Sequence, residues 1–173
     1  MKNILVAYAS QYGSTAEIAE KIGEVLRKEN LEVSILAVNE IRDVSSYGAV
    51  ILGSGVYAGH WLKDAVNFLE SNEKVLATKP VWIFSSGPTG EGEPIEIMHG
   101  WRFPEAQQSL ISHIKPRDIR LFHGKIDPDK LHLGDKLIVK AVRAKMGDFR
   151  DWDMISTWAK EISTALRPET VKV

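Results

Sequence analysis

The sequence predicts an α/β fold of the doubly wound kind, a five-stranded parallel sheet with helices on both faces. Three observations carry this. Five short runs are apolar nearly throughout, as strands buried on both faces are. Segments with helical apolar spacing separate them. Glycine- and hydroxyl-rich loops follow three of the runs, at the strand ends where open parallel sheets bind ligands.

The first strand covers about 3–9, with Ile4-Leu5-Val6-Ala7-Tyr8-Ala9 apolar throughout. A helix over 14–29 follows, in which Ile18, Ala19, Ile22, Val25 and Leu26 share one face and Glu17, Glu20, Lys21 and Glu24 lie between them. Val33-Ser34-Ile35-Leu36-Ala37 is the second strand, followed by a turn or weak helix at 41–44. Ala49-Val50-Ile51-Leu52 is the third, with a helix expected over about 60–71. Val81-Trp82-Ile83-Phe84 is the fourth, placed just after Pro80, and residues 119–124 form the fifth. A last helix over about 151–166 aligns Ile155, Trp158, Ala159, Ile162 and Leu166. Alternation of this kind implies parallel pairing through crossover helices.

A chain of 173 residues fits one domain, taken as 1–173. Two stretches exceed the short connections usual in such folds and are read as elaborations, at about 87–117, with a helix near 105–114, and at 125–150. With no cysteine there is no disulfide, thiol nucleophile or iron–sulfur ligation. No apolar stretch reaches the ~20 residues of a membrane span, and no signal segment opens the chain, so a cytoplasmic location is expected. The net charge of −1 hides an asymmetry: residues 1–114 carry 9 basic and 14 acidic side chains, and residues 115–150 carry 10 and 5. No nucleic-acid partner is expected. Within the basic stretch, Leu133, Leu137, Ile138, Ala141, Val142 and Met146 recur at helical spacing, with Lys136, Lys140, Arg143 and Lys145 mostly elsewhere. Residues 131–146 fit either peripheral contact with the inner face of a membrane or a crossover helix packed on the body.

Between the first strand and first helix lies Ser10-Gln11-Tyr12-Gly13-Ser14-Thr15. A hydroxyl-rich turn opening a helix offers free backbone N–H groups and the positive end of the helix dipole, an anion site suited to phosphate. The same turn could be an ordinary N-cap. It holds no Lys or Arg, so amides and the hydroxyls of Ser10, Ser14 and Thr15 must do any phosphate binding. Two companion loops favour the phosphate reading: Gly53-Ser54-Gly55-Val56-Tyr57-Ala58-Gly59-His60-Trp61 and Ser85-Ser86-Gly87-Pro88-Thr89-Gly90-Glu91-Gly92. Glycine lets backbone approach a flat ligand, and aromatics stack on it. Together the loops suit FMN, with its phosphate on the helix and its ring between Ser54–Gly59 and Ser85–Gly90. Tyr57 is favoured against the ring. Trp61 is expected to face the sheet from a first helical turn, and Trp101 either caps the site or packs locally. The hydroxyls of Ser85 and Ser86 are assigned to the flavin's polar edges. No G-x-S-x-G surrounds them, and Gly59 falls one position late for a dinucleotide fingerprint.

On these residues the chain resembles the flavodoxin-like family over nearly its whole length. Ser10, Gly13 and Thr15 match the family's phosphate loop; Tyr12 departs from it, and its ring is expected to cover the site. The resemblance implies strand order 2-1-3-4-5, an FMN cofactor, electron transfer without catalytic side chains, and a redox partner protein or quinone. It further implies that a backbone carbonyl at Ala58 or Gly59 reorients toward the flavin. Gly53, Tyr57, Gly59 and His60, with Gly147-Asp148-Phe149-Arg150-Asp151-Trp152, are similar to the branch containing the menaquinone-dependent protoporphyrinogen dehydrogenases. That implies an alternative activity, oxidation of protoporphyrinogen IX by a quinone. A third alternative is an NAD(P)H:quinone reductase-like flavoprotein, for which the sequence shows no nicotinamide motif.

Overall fold

The computed structural model describes residues 3–167; residues 1–2 and 168–173 of the expected domain lie outside the described residues. The chain runs β1 (Ile4–Ala9), α1 (Ser14–Lys28), β2 (Val33–Ala37), β3 (Ala49–Tyr57), β4 (His60–Trp61), α2 (Lys63–Leu76) and β5 (Val81–Ser86). It continues through α3 (Pro94–Ile97), α4 (Gln108–Ile114), β6 (Asp118–Phe122), β7 (Lys125–Ile126), α5 (Leu133–Ala141), β8 (Gly147–Asp148) and α6 (Trp152–Leu166). The sheet order is β2-β1-β3-β5-β6, all parallel, so the five expected strands stand in the order 2-1-3-4-5.

Alternation along each strand divides the core in two. Ile4 and Val6 of β1, with Trp82 and Phe84 of β5, pack under α1 and α6. Leu5 and Ala7, with Val81 and Ile83, pack under α2 and α4. On the first face Phe84, Phe122 and Trp158 meet in tilted and edge-on contacts 5.5–6.1 Å between centroids. Such pairs add about 0.5–1.5 kcal/mol each beyond the area they bury. Gly53 is required here, because a Cβ at that position would lie 2.0 Å from Phe84 Cζ.

Four expectations change. The stretch 53–61 is not a loop: β3 continues to Tyr57 and turns back through Ala58 (φ 49°) and Gly59 (φ 78°) into β4, with Val56 opposite Trp61 and Tyr57 opposite His60. Two successive positive φ values make the primed turn whose twist suits a two-residue hairpin. His60 and Trp61 are therefore strand residues, and α2 starts at Lys63 rather than about 60. The turn expected at 41–44 is a 3-10 turn at Val38–Glu40, and the last residues of the expected fifth strand, 123–124, leave the sheet. Ala58 already bears left-handed backbone strain. Gly59→Ala adds a second such residue at the cost of about 1 kcal/mol, read as a lower urea midpoint with an unchanged slope.

Candidate functional site

The three expected loops converge at the carboxyl ends of β1, β3 and β5. A cleft of about 120 Å³ there is lined by Ser14, Val56, Tyr57, Ala58, Ser86 and Gly87, with Gly124, Lys125 and Ile126 below and α5 with its flanking residues above. Two glycines make this convergence possible. A Cβ on Gly55 would sit 3.3 Å from Thr15 Oγ1, and one on Gly87 would sit 2.8 Å from Val56 Cβ.

The first loop is built as an open cradle. Gly13 is the N-cap of α1 at φ 89°, and no side chain caps the helix. Ser10 Oγ is spent on shaping the turn, accepting from Gly13 N at 3.0 Å. Thr15 is buried at the helix start. Ser14 Oγ is buried without a hydrogen-bond partner, although its residue lines the cleft. In the third loop Thr89 Oγ1 is orphaned in the same way. Buried hydroxyls are normally paired, so two orphans in ligand-suited loops mark places where a bound group supplies the missing partner. The N-cap alternative for Ser10, Ser14 and Thr15 loses its support, because none of their side chains caps the helix.

Other expected residues sit elsewhere. Ser54 is fully buried, its hydroxyl donating to Gly55 O at 2.9 Å and accepting from Leu62 N at 3.2 Å. Ser85 is also fully buried, accepting from Trp61 Nε1 at 2.9 Å and donating to Arg102 O at 2.6 Å. These two hydroxyls brace the hairpin and the third loop instead of facing the cleft, which corrects the expectation that Ser85 meets a flavin edge; Ser86 does line the cleft. Trp61 faces the core, though from β4. Pro88 contributes its carbonyl, which accepts from Gly124 N at 2.9 Å and lies 3.0 Å from His123 Nδ1, while His123 Nε2 lies 2.7 Å from Gly92 O. His123 thus clamps residues 88–92, Thr89 and the buried Gly90 among them.

Tyr12 bridges the cradle to the second elaboration. Its ring lies 6.4 Å from Tyr57 and 5.7 Å from His132, and its hydroxyl donates to Asp135 Oδ2. Gln11 Nε2 donates to the same oxygen at 3.1 Å, and His132 N donates to the Tyr12 hydroxyl at 3.3 Å. Burial pushes the Tyr57 hydroxyl up to about 12, with Tyr12 and Asp135 adding to the shift. Desolvation, then the Asp135 hydrogen bond, also raises Tyr12, so both phenols are neutral at pH 7.

Sequence reasoning missed Asp135 and Arg150. The Arg150 side chain is buried behind the start of α1. It donates to both Asp148 carboxylate oxygens at 2.8 and 2.6 Å, to Glu17 Oε2 at 2.5 Å and to Ser14 O at 3.3 Å, and its guanidinium stacks on Trp152. A loop without cations of its own therefore has one beneath it, delivered from 136 residues away. Nothing local marks it, since of residues 147–152 only Arg150 itself is buried. Asp135 is the opposite case, a carboxylate in the same cleft as the cradle. Asp135→Asn removes that repulsion and is expected to tighten phosphate-ester binding about fivefold, as one charge at surface-like dielectric allows, measured by titration with FMN.

A family model for the flavodoxin domain matches residues 5–153. No curated protein matches the chain in sequence. Among solved structures, a flavodoxin from the domain Archaea is 16% identical with a TM-score of 0.60, covering 94% of this chain and 97% of that one. A flavodoxin of Streptococcus pneumoniae TIGR4 is 17% identical with a TM-score of 0.59, covering 95% and 99%. Rubredoxin oxygen:oxidoreductase from the anaerobe Desulfovibrio gigas is 18% identical with a TM-score of 0.61; 95% of this chain matches 36% of that protein. At these identities the structures establish the fold. The match to the domain model, over most of the chain and over the cradle and cleft just described, establishes that this chain belongs to the flavodoxin-domain family.

Proposed function

We propose that the chain binds FMN and transfers electrons. The observation that carries this reading is the orphaned Ser14 hydroxyl at the uncapped start of α1, opening on the cleft between Tyr57 and Gly87. Ser14, Thr15 and the free amides of the first helical turn hold the phosphate. Val56, Tyr57 and Ala58 on one side, with Ser86 and Gly87 on the other, flank the ring. Bound FMN supplies the electron transfer itself; the chain's residues bind, orient and shield it. The cleft is smaller than the ~300 Å³ at the lower end of ligand pockets, so admitting a ring requires α5 and Tyr57 to part. The test is the visible spectrum of the purified protein, with the bound flavin released and identified. FMN is the expected result. Flavin adenine dinucleotide, or a colourless protein that stays so when incubated with FMN, overturns the reading.

A second reading, oxidation of protoporphyrinogen IX with a quinone as acceptor, is favoured by one feature. Ile138, Val139, Val142 and Ala144 line the cleft with apolar surface, against which the hydrocarbon body of a tetrapyrrole macrocycle fits. Six hydrogens leave the substrate in three two-electron steps, and each step reduces one quinone to the quinol, three in all. Anaerobic assays with protoporphyrinogen and menaquinone analogues separate this enzyme from a simple carrier, and parallel assays with NADH and NADPH test the quinone reductase alternative.

A further inference from the structure

We infer that α5 and the residues that follow it form a docking face for an anionic lipid bilayer, beside the mouth of the cleft. Leu133, Leu137, Ile138, Val142 and Met146 are 82%, 71%, 44%, 58% and 46% exposed. Among the described residues, the large apolar side chains that are exposed all lie on this segment except Trp152. Soluble surfaces rarely gather such residues in one patch without a partner to cover them. α5 itself has no buried residue, so the patch is not a by-product of core packing.

Charge selects the partner. Leu133, Leu137 and Ala141 form one i, i+4 row along α5, and Lys136 and Lys140 form the row beside it. Lys130, Arg143 and Lys145 extend the basic border, and all five cations are exposed. Among the described residues none of them makes an ion pair. The one carboxylate on α5, Asp135, is turned inward to Tyr12 and Gln11. An apolar strip with cations at its edge and its acid withdrawn is complementary to acyl chains below a layer of negative headgroups. No helix among the described residues is long and apolar enough to cross a membrane, so the contact is peripheral. Because Ile138 and Val142 also line the cleft, docking sets its mouth against the lipid, within reach of a lipid-soluble redox partner. The inference stands apart from the flavin assignment, since Leu133 and Leu137, the most exposed of the patch, do not line the cleft.

The test is co-sedimentation of the full chain, with and without FMN, on phosphatidylcholine vesicles and on vesicles that also contain phosphatidylglycerol. Binding is expected only to the latter, and weaker in high salt. Lys136→Gln with Lys140→Gln is expected to weaken it by about 25-fold, since each cation near such a surface is worth about fivefold. Leu133→Ser with Leu137→Ser is expected to cost about 150-fold or more, from roughly 1.5 kcal/mol or more per leucine returned to water. Both pairs are exposed, so the variants keep their thermal midpoint. No binding to anionic vesicles, or binding indifferent to both variants, overturns the proposal. So does a dimer in sedimentation velocity that Leu137→Ser dissociates while vesicles capture nothing. Binding that persists in protein unable to take FMN leaves the docking face standing while the flavin reading fails.

Discussion

Ser14→Ala is expected to weaken FMN binding by about 10- to 100-fold, the worth of a hydrogen bond to a charged group, while making the empty protein more stable. The two effects have opposite signs because the Ser14 hydroxyl is buried and unpartnered in the empty cradle. Removing it from the free protein relieves a desolvation cost of about 1 kcal/mol. Removing it from the complex deletes a donor to phosphate. Titration of FMN by flavin fluorescence quenching measures the first effect, and urea unfolding of the apoprotein measures the second. A variant that binds FMN as tightly as the parent would place the phosphate elsewhere. Ser10→Ala behaves differently, since Ser10 Oγ already accepts from Gly13 N: it costs the apoprotein stability as well as affinity.

Arg150→Met is expected to destabilise the protein by about 2–3 kcal/mol and to loosen the cradle with it. The guanidinium is nearly inaccessible and holds Asp148, Glu17 and the Ser14 carbonyl together, so its loss separates the start of α1 from the β7–β8 pair. Breaking a fully buried ion pair costs more, but Glu17 and Asp148 are half exposed and can return to water. Arg150→Lys restores only part, because an ammonium cannot reach both Asp148 oxygens and Glu17 from one plane. The arginine hydrogen bonds hold the Asp148 carboxyl below its usual range. Its contribution is therefore complete above about pH 4, the unfolded carboxylate value. It fades as pH falls through the lower folded value. In Arg150→Met that acid-side fall in stability flattens, a difference that urea midpoints between neutral and strongly acid pH resolve.

The fold was legible because its signals are local. Ile4 to Ala9 and Val81 to Phe84 are apolar without interruption, as doubly covered strands must be, and α1 and α6 show their buried faces directly in their spacing. The hairpin at Ala58–Gly59 was missed because glycines and aromatics suggest a loop as readily as a strand turning back, and only the positive φ at both positions distinguishes them. In the site, Ser14, Val56, Tyr57, Ala58, Ser86 and Gly87 were legible from loop composition, and they do meet. Ser54 and Ser85 were not separable from them, since composition cannot say which residues along a strand point inward, even for the adjacent pair Ser85 and Ser86. Asp135 and Arg150 were out of reach for another reason: each acts on the cradle across more than a hundred residues, through contacts with no sequence period.

The short antiparallel pair of β7 with β8, Lys125 opposite Asp148 and Ile126 opposite Gly147, gives the second elaboration a stem. Everything from 127 to 146 hangs from that stem as a cassette whose ends are already joined. Its length can then drift at little energetic cost, since doubling a flexible loop adds only about 0.6 kcal/mol. The sheet below would register none of it. Evolution could thus exchange what sits over the cleft, and with it the molecule's choice of company, while the cradle and the five-stranded sheet stay the same.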